Sequence, residues 1–225
     1  MAESTPSLNN EYVILIHGLI RSSRSMKKLA IALEDEGYST INVDYPSNQF
    51  SIEQLAVETI NKALALCPKN AIIHFVTHSL GGILVRQYLS EHSIDNLGRV
   101  VMLGPPNKGS EIVDNLSSFP GFKLINGPAG LQLGTDEQSV PNKLGPVNFD
   151  LGIIAGTRNF SIYALMIAKP NDGKVSVESS KIEGMTDHIE LAVSHSFMMN
   201  NSHVIANVIH FLQSGLFLKK IPDQN

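Results

Sequence analysis

The sequence predicts an α/β fold in which a mostly parallel sheet of about six strands carries helices on both faces. Two observations predict it. Apolar runs typical of buried strands alternate along the chain with amphipathic stretches of helical period, as in a doubly wound sheet. One of those runs, residues 72–76, passes into a helical stretch through a short turn that contains Ser79, and such turns lie at the carboxyl edge of a parallel sheet.

Six apolar runs are the predicted strands, and residues that favour turns bound them. They lie at residues 12–16, 39–44, 72–76, 99–103, 150–155 and 189–193. The clearest helix start is a capping box at Ser51 and Gln54, in which each side chain accepts a hydrogen bond from the other residue's backbone N–H. The predicted helices are residues 25–37, 51–68, the stretch after Ser79, a short one near 110–116, and 202–212.

The length of 225 residues suits one α/β domain that spans residues 1–225 and is short for two. Between residues 105 and 148 the alternation gives way to a segment rich in glycine and proline. Long loops in compact domains tend to be lids or binding segments. We therefore expect a lid-like excursion above the sheet, and the alternative is a plain long loop.

Charge and cysteine usage exclude several classes of protein. The 17 basic and 21 acidic residues give a net charge of −4 and are scattered, so nucleic acid is not an expected partner. The single cysteine, Cys67, cannot form an internal disulfide and lies on the apolar side of a predicted helix, so we interpret it as a core residue. Because the chain has no H-E-x-x-H motif and no phosphate-binding loop, we expect neither a metal nor an organic cofactor.

The first ten residues and the lengths of the apolar runs indicate where in the cell the protein is expected. Residues 1–10 are polar and lack the basic start and apolar centre of a signal peptide. No segment approaches the roughly twenty apolar residues of a membrane span. We expect a soluble, cytoplasmic protein, unless the first methionine was added to a mature secreted form.

The turn at Ser79 predicts a reactive serine. A strand that turns directly into a helix holds the intervening residue in a strained conformation and needs small neighbours. Gly81 and Gly82 are poor choices inside an ordinary helix but meet this need. The Ser79 hydroxyl would then project above the carboxyl edge of the sheet, in front of the helix N-terminus. Ser79 is therefore the predicted nucleophile, and the alternative is an ordinary N-cap.

The hexapeptide Thr77 to Gly82 resembles the nucleophile elbow of the α/β-hydrolase superfamily, particularly that of small bacterial lipases and lipase-like esterases. It departs from the pattern G-x-S-x-G at Thr77, which replaces the first glycine. The other matching motifs, in the same chain order, are His17-Gly18, residues 105–110, the Asp172 loop and His195. Residues 121–146 match no motif. The resemblance implies a three-layer α/β-hydrolase fold and a triad in the order serine, acid, histidine.

A serine nucleophile needs a histidine base and a carboxylate that fixes the histidine. Asp172 is the predicted acid, because its loop is similar to the Asp-Gly-x-Val of the small lipases. His195 is the predicted base, because it follows the last predicted strand and precedes the last helix. The rivals are the carboxylates Asp150, Glu178 and Asp187 and the histidines His188, His203 and His210.

The tetrahedral intermediate of acyl transfer also needs amide donors. Leu80, after the nucleophile, would supply one backbone N–H, and by resemblance Leu19 would supply the second. The implied activity is that of a serine carboxylic ester hydrolase that acts through an acyl-enzyme on an apolar acyl ester. A thioesterase, amidase or acyltransferase with the same triad stays open, as does a non-catalytic binding module on the same fold.

Two apolar stretches are not required by the bare fold, and both follow strands. They contain Phe119 and Phe122, and Leu165 and Met166. Because the ends of these strands lie at the edge that carries Ser79, we expect the four side chains to wall a pocket for the acyl group and to allow transient contact with a lipid surface. The alternatives are a cover over the core and a dimer contact.

Overall fold

The computed structural model describes residues 10–159 and 166–218. Its centre is a six-stranded sheet in which each neighbouring pair of strands is parallel. The strands are β1 Glu11–Ile16, β2 Ser39–Val43, β3 Ile72–His78, β4 Leu97–Leu103, β5 Leu151–Gly156 and β6 Asp187–Leu191. Their order is β2-β1-β3-β4-β5-β6. The connections therefore change direction between β1 and β3, and the carboxyl ends of strands at such a switch point are where α/β sheets bind ligands.

Helices cover both faces of the sheet. They are α1 Lys27–Asp35, α2 Ile52–Leu64, α3 Leu80–Glu91, α4 Glu111–Leu116, α5 Pro120–Leu131, α6 Val140–Lys143, α7 Val177–Ser180 and α8 Ser202–Ser214. Successive side chains of a strand point to opposite faces, so Ile14 and Ile16 of β1 pack with α2 and α3, whereas Val13 and Leu15 pack with α1 and α8. This arrangement confirms the predicted three-layer fold.

Local signals placed several element boundaries correctly. The Ser51 hydroxyl accepts from the Gln54 amide at 3.4 Å, and Gln54 Oε1 accepts from the Ser51 amide at 3.3 Å, so α2 starts with the predicted capping box. The helix predicted at residues 25–37 is α1, preceded by a 3₁₀ turn at Ser23–Met26. Cys67 is half-buried against the core. That residues 1–225 form one domain stays a prediction.

The last strand begins earlier than predicted. The expected strand at residues 189–193 is β6 at Asp187–Leu191, and it pairs with β5 along Gly152–Gly156. β6 is an edge strand whose side chains are half-buried or exposed. An edge strand of this kind can include polar residues such as Asp187 and His188, whereas the prediction from the apolar pattern began only at residue 189.

The excursion at residues 105–148 contains more helix than predicted. The expected helix near residues 110–116 is α4, but α5 and α6 were not predicted. α5 contains three glycines and an internal proline, which are poor helix formers. It is kinked at Gly127, where φ is 63°. A Cβ there would lie 1.7 Å from the backbone oxygen of Asn48, so only glycine fits against the loop that follows β2.

A buried arginine fixes the excursion to α3. Arg86 is 3% exposed and donates to the backbone oxygens of Asn107, Pro141 and Gly145 at 2.8–3.0 Å. It also donates to the side-chain oxygen of Asn107 at 3.2 Å. Burial lowers the pKa of Arg86 to about 10, so the guanidinium stays charged at neutral pH. The helix that begins at Ser79 is therefore joined by one side chain to both ends of the excursion.

Arg86→Met should destabilise the protein, because it leaves buried carbonyl oxygens without donors. Each such group costs about 1–3 kcal/mol, and we expect the free energy of unfolding to fall by about 3 kcal/mol or more in a urea titration. Lys62→Met, which removes an exposed cation from α2, is the control and should change stability by less than about 0.5 kcal/mol. Equal stability of the two variants would show that Arg86 does not fix the excursion.

Candidate active site

Ser79 lies on the sharp turn between β3 and α3. Its φ and ψ are 52° and −120°, a conformation that side chains rarely adopt. A Cβ on Gly81 would lie 2.5 Å from the backbone oxygen of Ile16, so the close approach of α3 to β1 requires glycine there. Thr77, at the position where the motif has glycine, is fully buried within β3. The turn therefore has the conformation predicted for an elbow, and threonine is accommodated in it.

Asp172 and His195 form a buried pair at the same edge of the sheet. The Nδ1 of His195 lies 2.7 Å from Oδ2 of Asp172, and the two residues are 4% and 2% exposed. Since the carboxylate can only accept, Nδ1 is the protonated nitrogen and Nε2 carries the free lone pair. This is the tautomer that a histidine base needs.

The loop of Asp172 holds the carboxylate in position. Its second oxygen, Oδ1, accepts from the amides of Lys174 and Val175 at 2.9 and 2.8 Å. Its backbone oxygen accepts from the amide of His195 at 3.0 Å. Both carboxylate oxygens and the main chain of Asp172 are thus engaged, so the orientation of Oδ2 toward His195 is fixed.

Glycines at the ends of two strands make room for this pair. Gly104 follows β4 with φ 54°, and a Cβ there would lie 2.9 Å from Asp172 Oδ2 and 3.1 Å from His195 Nδ1. Gly156 ends β5, and a Cβ there would lie 2.7 Å from the Cβ of Asp172. A side chain at either position would displace the carboxylate from the imidazole.

His78 supports His195 and received no role in the sequence analysis. Its Nε2 donates to the backbone oxygen of His195 at 2.9 Å, and the two ring centroids are 4.7 Å apart. Burial first and the nearby His195 second hold the pKa of His78 well below its usual range, so the ring is neutral. The signal that could have identified it is a histidine placed directly before the serine of the turn.

His17 and Gly18 shape the turn after β1. Burial lowers the pKa of His17, and its ring stacks on Tyr45 at 4.3 Å between centroids. The Nδ1 of His17 donates to the backbone oxygen of Gly18 at 2.9 Å. A Cβ on Gly18 would lie 3.1 Å from the Cβ of Ser79. The turn therefore lies directly against the serine.

The two predicted amide donors lie on either side of this contact. Leu19 follows Gly18 and lines the same cavity as Ser79, and Leu80 is the first residue of α3. Within the described part of the chain, neither amide has a hydrogen-bond acceptor. Amides in the first turn of a helix project from its N-terminal end without an intrahelical acceptor, and they attract negative charge.

A cavity of about 500 Å³ opens over these residues. Its volume falls within the roughly 300–1,000 Å³ typical of small-molecule sites. Ser79, Asp172 and His195 line it, and so does Phe122. The predicted pocket residues Phe119 and Met166 are 59% and 48% exposed and are not among its described lining residues. The sequence shows that these stretches are apolar but not which of their faces turns toward the cavity. Leu165 lies outside the described residues.

The rival carboxylates and histidines have other contacts. Glu178 pairs with Lys108 and Lys181, and Asp150 pairs with Arg99. Asp187 accepts from the amides of His188 and Phe217. His203 is exposed on α8, and His210 donates to the backbone oxygen of Leu216 at 2.7 Å. Of the candidate residues predicted from the sequence, Ser79, Asp172 and His195 line one cavity in the structure. The rivals are not among its described lining residues.

Residues 10–159 and 166–218 contain no group of three or more histidine, cysteine or acidic side chains placed to hold a metal ion. In the same ranges, no helix has both the length and the apolar character needed to pass through a bilayer.

Comparison with solved structures finds the same architecture in several hydrolases. The mature form of the lipase BlEst2 from Bacillus licheniformis is 18% identical over 93% of this chain and 94% of its own, with a TM-score of 0.74. The metagenomic carboxyl esterase MGS0156 is 20% identical over 86% of this chain and 68% of its own, with a TM-score of 0.68. The monoacylglycerol lipase of Paleococcus ferrophilus is 17% identical over 92% and 95%, with a TM-score of 0.61.

At these identities the likeness concerns the fold. No curated protein matches the sequence. The family model of the alpha/beta hydrolase fold matches residues 11–149, which is more than half of the chain and includes the turn at Ser79. The chain therefore belongs to the alpha/beta hydrolase fold family.

Proposed function

We propose that the protein is a serine hydrolase that cleaves carboxylic esters through an acyl-enzyme. The observation that carries this proposal is the convergence of Ser79, on its strained turn, with the Asp172–His195 pair at one cavity. The solved structures of similar fold include two lipases and a carboxyl esterase, which supports an ester as the substrate.

In the acylation step, Ser79 Oγ attacks the ester carbonyl carbon and His195 Nε2 takes the hydroxyl proton. Asp172 accepts from Nδ1–H and stabilises the imidazolium that forms. The amides of Leu19 and Leu80 donate to the oxygen that becomes negative. The bond to the alcohol oxygen then breaks, and the alcohol leaves with the proton from Nε2.

In the deacylation step, water attacks the acyl-serine while His195 Nε2 takes its proton. The carbon–oxygen bond to Ser79 then breaks, the serine recovers the proton, and the acid is released. Because Nδ1 stays bound to Asp172 throughout, one imidazole serves as base and then acid in both steps.

The acyl group would occupy the apolar part of the cavity. Described apolar side chains along the wall are Ile112, Val113, Leu116, Phe122, Leu133 and Val175. Most of them come from α4, α5 and the loops beside them, so we assign the acyl wall chiefly to the excursion.

The rim of the cavity supports transient contact with a lipid surface. Phe197 lines the cavity and is 66% exposed. Phe119 and Leu124, on the excursion that supplies the wall, are 59% and 85% exposed. Apolar side chains exposed near a binding cavity suit a substrate that is itself apolar.

The cytoplasmic location stays a prediction.

Ser79→Ala should abolish hydrolysis of p-nitrophenyl butyrate and labelling by a fluorophosphonate probe, because it removes the attacking oxygen. The thermal midpoint should stay near that of the wild type. Ser90→Ala on the same helix, whose hydroxyl caps the Gln87 carbonyl away from the cavity, should keep both activities. Labelling of Ser79→Ala at another serine would refute the assignment.

Asp172→Asn and His195→Ala should each lower kcat by roughly three to four orders of magnitude, because the base is lost or its tautomer is no longer fixed. Single-turnover kinetics should place the loss in acylation. Asp187→Asn and His203→Ala are the matched controls and should keep most of the activity. The opposite pattern would transfer the acid and base roles to those residues.

A longer acyl chain should raise kcat/KM until the apolar wall is filled, by about fourfold per methylene from a transfer free energy of about 0.8 kcal/mol. Leu116→Trp should move the optimum to shorter chains, because the larger ring takes up cavity volume. Leu66→Trp, at an exposed position after α2 and outside the described lining of the cavity, is the control. A series from acetyl to dodecanoyl esters that falls steadily and does not respond to Leu116→Trp would remove the pocket from this proposal.

A further inference from the structure

Two cations line the cavity that holds Ser79. They are Arg21, three residues beyond Gly18, and Lys174, two residues beyond Asp172. The carboxylate found among the described lining residues is Asp172, and it is already bound to His195 and to two amides. Although the chain carries a net charge of −4, the accessible charge in this cavity is therefore positive.

Lys174 is positioned by its own backbone. Its amide donates to Asp172 Oδ1 at 2.9 Å, and its carbonyl oxygen accepts from the Ser110 hydroxyl at 3.0 Å. Gly173, with φ 97°, makes the tight turn between the carboxylate and the lysine. The ammonium is thus attached to the same rigid loop that holds the Asp172–His195 pair.

Arg21 is positioned by the turn that carries Leu19. Its amide donates to the Gly18 oxygen at 3.2 Å, and the amide of Ile20 donates to the Ser47 hydroxyl at 2.9 Å. Ile20 has a φ of 57°, which is unusual for a branched side chain. The guanidinium therefore belongs to a constrained turn beside the proposed oxyanion site.

Within the described part of the chain, neither Arg21 nor Lys174 forms a direct ion pair with a carboxylate. Across residues 10–159 and 166–218, neither side chain forms a salt bridge or a hydrogen bond. Partial desolvation at the cavity wall lowers the pKa of the Lys174 ammonium, repulsion from Arg21 lowers it further, and attraction to Asp172 opposes both effects. Two like charges that repel each other at a cavity wall are stabilised when an anion binds between them.

We infer that Arg21 and Lys174 bind a phosphate group on the alcohol part of the substrate, so that the preferred ester is an acyl ester of a phosphorylated alcohol. This inference rests on the proposed function. His195 must protonate the departing alcohol oxygen, and Lys174 lines the same cavity from the loop that binds His195, so we assign its charge to the alcohol part of the ester. The planar guanidinium of Arg21 suits two oxygens of one phosphate, and the ammonium of Lys174 adds a point charge.

The test compares two soluble substrates that differ in one group, 1-butyrylglycerol and 1-butyrylglycerol 3-phosphate. The wild type should have a kcat/KM at least roughly tenfold higher for the phosphorylated ester, as expected for charge-assisted hydrogen bonds. The ratio of the two kcat/KM values, phosphorylated over neutral ester, should fall when NaCl is raised to about 0.5 M, because salt screens the attraction between the phosphate and the two cations. A ratio near or below one at low salt overturns the inference.

Variants assign the preference to the two side chains. Arg21→Gln and Lys174→Gln should each lower the ratio by several-fold and the double variant should abolish it, whereas Lys174→Arg should restore most of it. Arg24→Gln removes an equal charge near the start of α1, outside the described lining of the cavity, and should keep the wild-type ratio. An unchanged ratio in the double variant, or an equal loss in Arg24→Gln, overturns the inference.

A binding measurement separates this inference from the proposed function. In the Ser79→Ala background, calorimetry should show tighter binding of the phosphorylated ester than of the neutral one, and the double substitution at Arg21 and Lys174 should remove the difference. Selective binding by a wild type that hydrolyses neither ester would refute the proposed function and support the phosphate site. Hydrolysis of both esters without selective binding would refute the phosphate site alone.

Discussion

The backbone conformation of Ser79 is the constraint on which the rest of the site depends. A φ of 52° at a serine costs about 1–3 kcal/mol, and buried packing around the turn must offset it. The Ser79 amide donates to the Leu103 oxygen at 2.9 Å, and the residues from Leu80 to Tyr88 are all buried. Because β3 passes straight into α3, the first amide of the helix and the turn after β1 lie beside the serine hydroxyl.

The Asp172–His195 pair fits at the sheet edge that carries this serine because glycines stand at the ends of two neighbouring strands. Gly104 after β4 and Gly156 at the end of β5 let the carboxylate approach the sheet edge closely. His78 also contacts the pair: it donates to the backbone oxygen of His195, and burial keeps its ring neutral. A charged imidazole there would repel the imidazolium that His195 is proposed to form, so the low pKa of His78 is consistent with the mechanism.

The architecture was predictable because buried parallel strands are continuous apolar runs, and all six predicted strands lie within two residues of those observed at both ends. β6 was displaced because an edge strand tolerates the polar Asp187 and His188. α5 was missed because its glycines and proline oppose helix formation, and packing against Asn48 and α2 decides its conformation. The contact from His78 to His195 spans 117 residues, so no local pattern predicts it. The catalytic roles of Ser79, Asp172 and His195 stay predictions, although the structure places them at one cavity.

The charge of the cavity shows why whole-chain composition is a poor guide to substrate. A net charge of −4 over 225 residues argues against anionic ligands, but fields within a cavity are set by the few groups that line it. Among the described lining residues Asp172 is the carboxylate, and it is already bound to His195 and to two amides, whereas Arg21 and Lys174 contribute two positive charges. Arg21 and Lys174 are attached to the two turns that also form the proposed oxyanion site and the Asp172 loop. Any ester held for attack by Ser79 therefore lies within the field of both cations, and the sign of that field favours a substrate that carries negative charge.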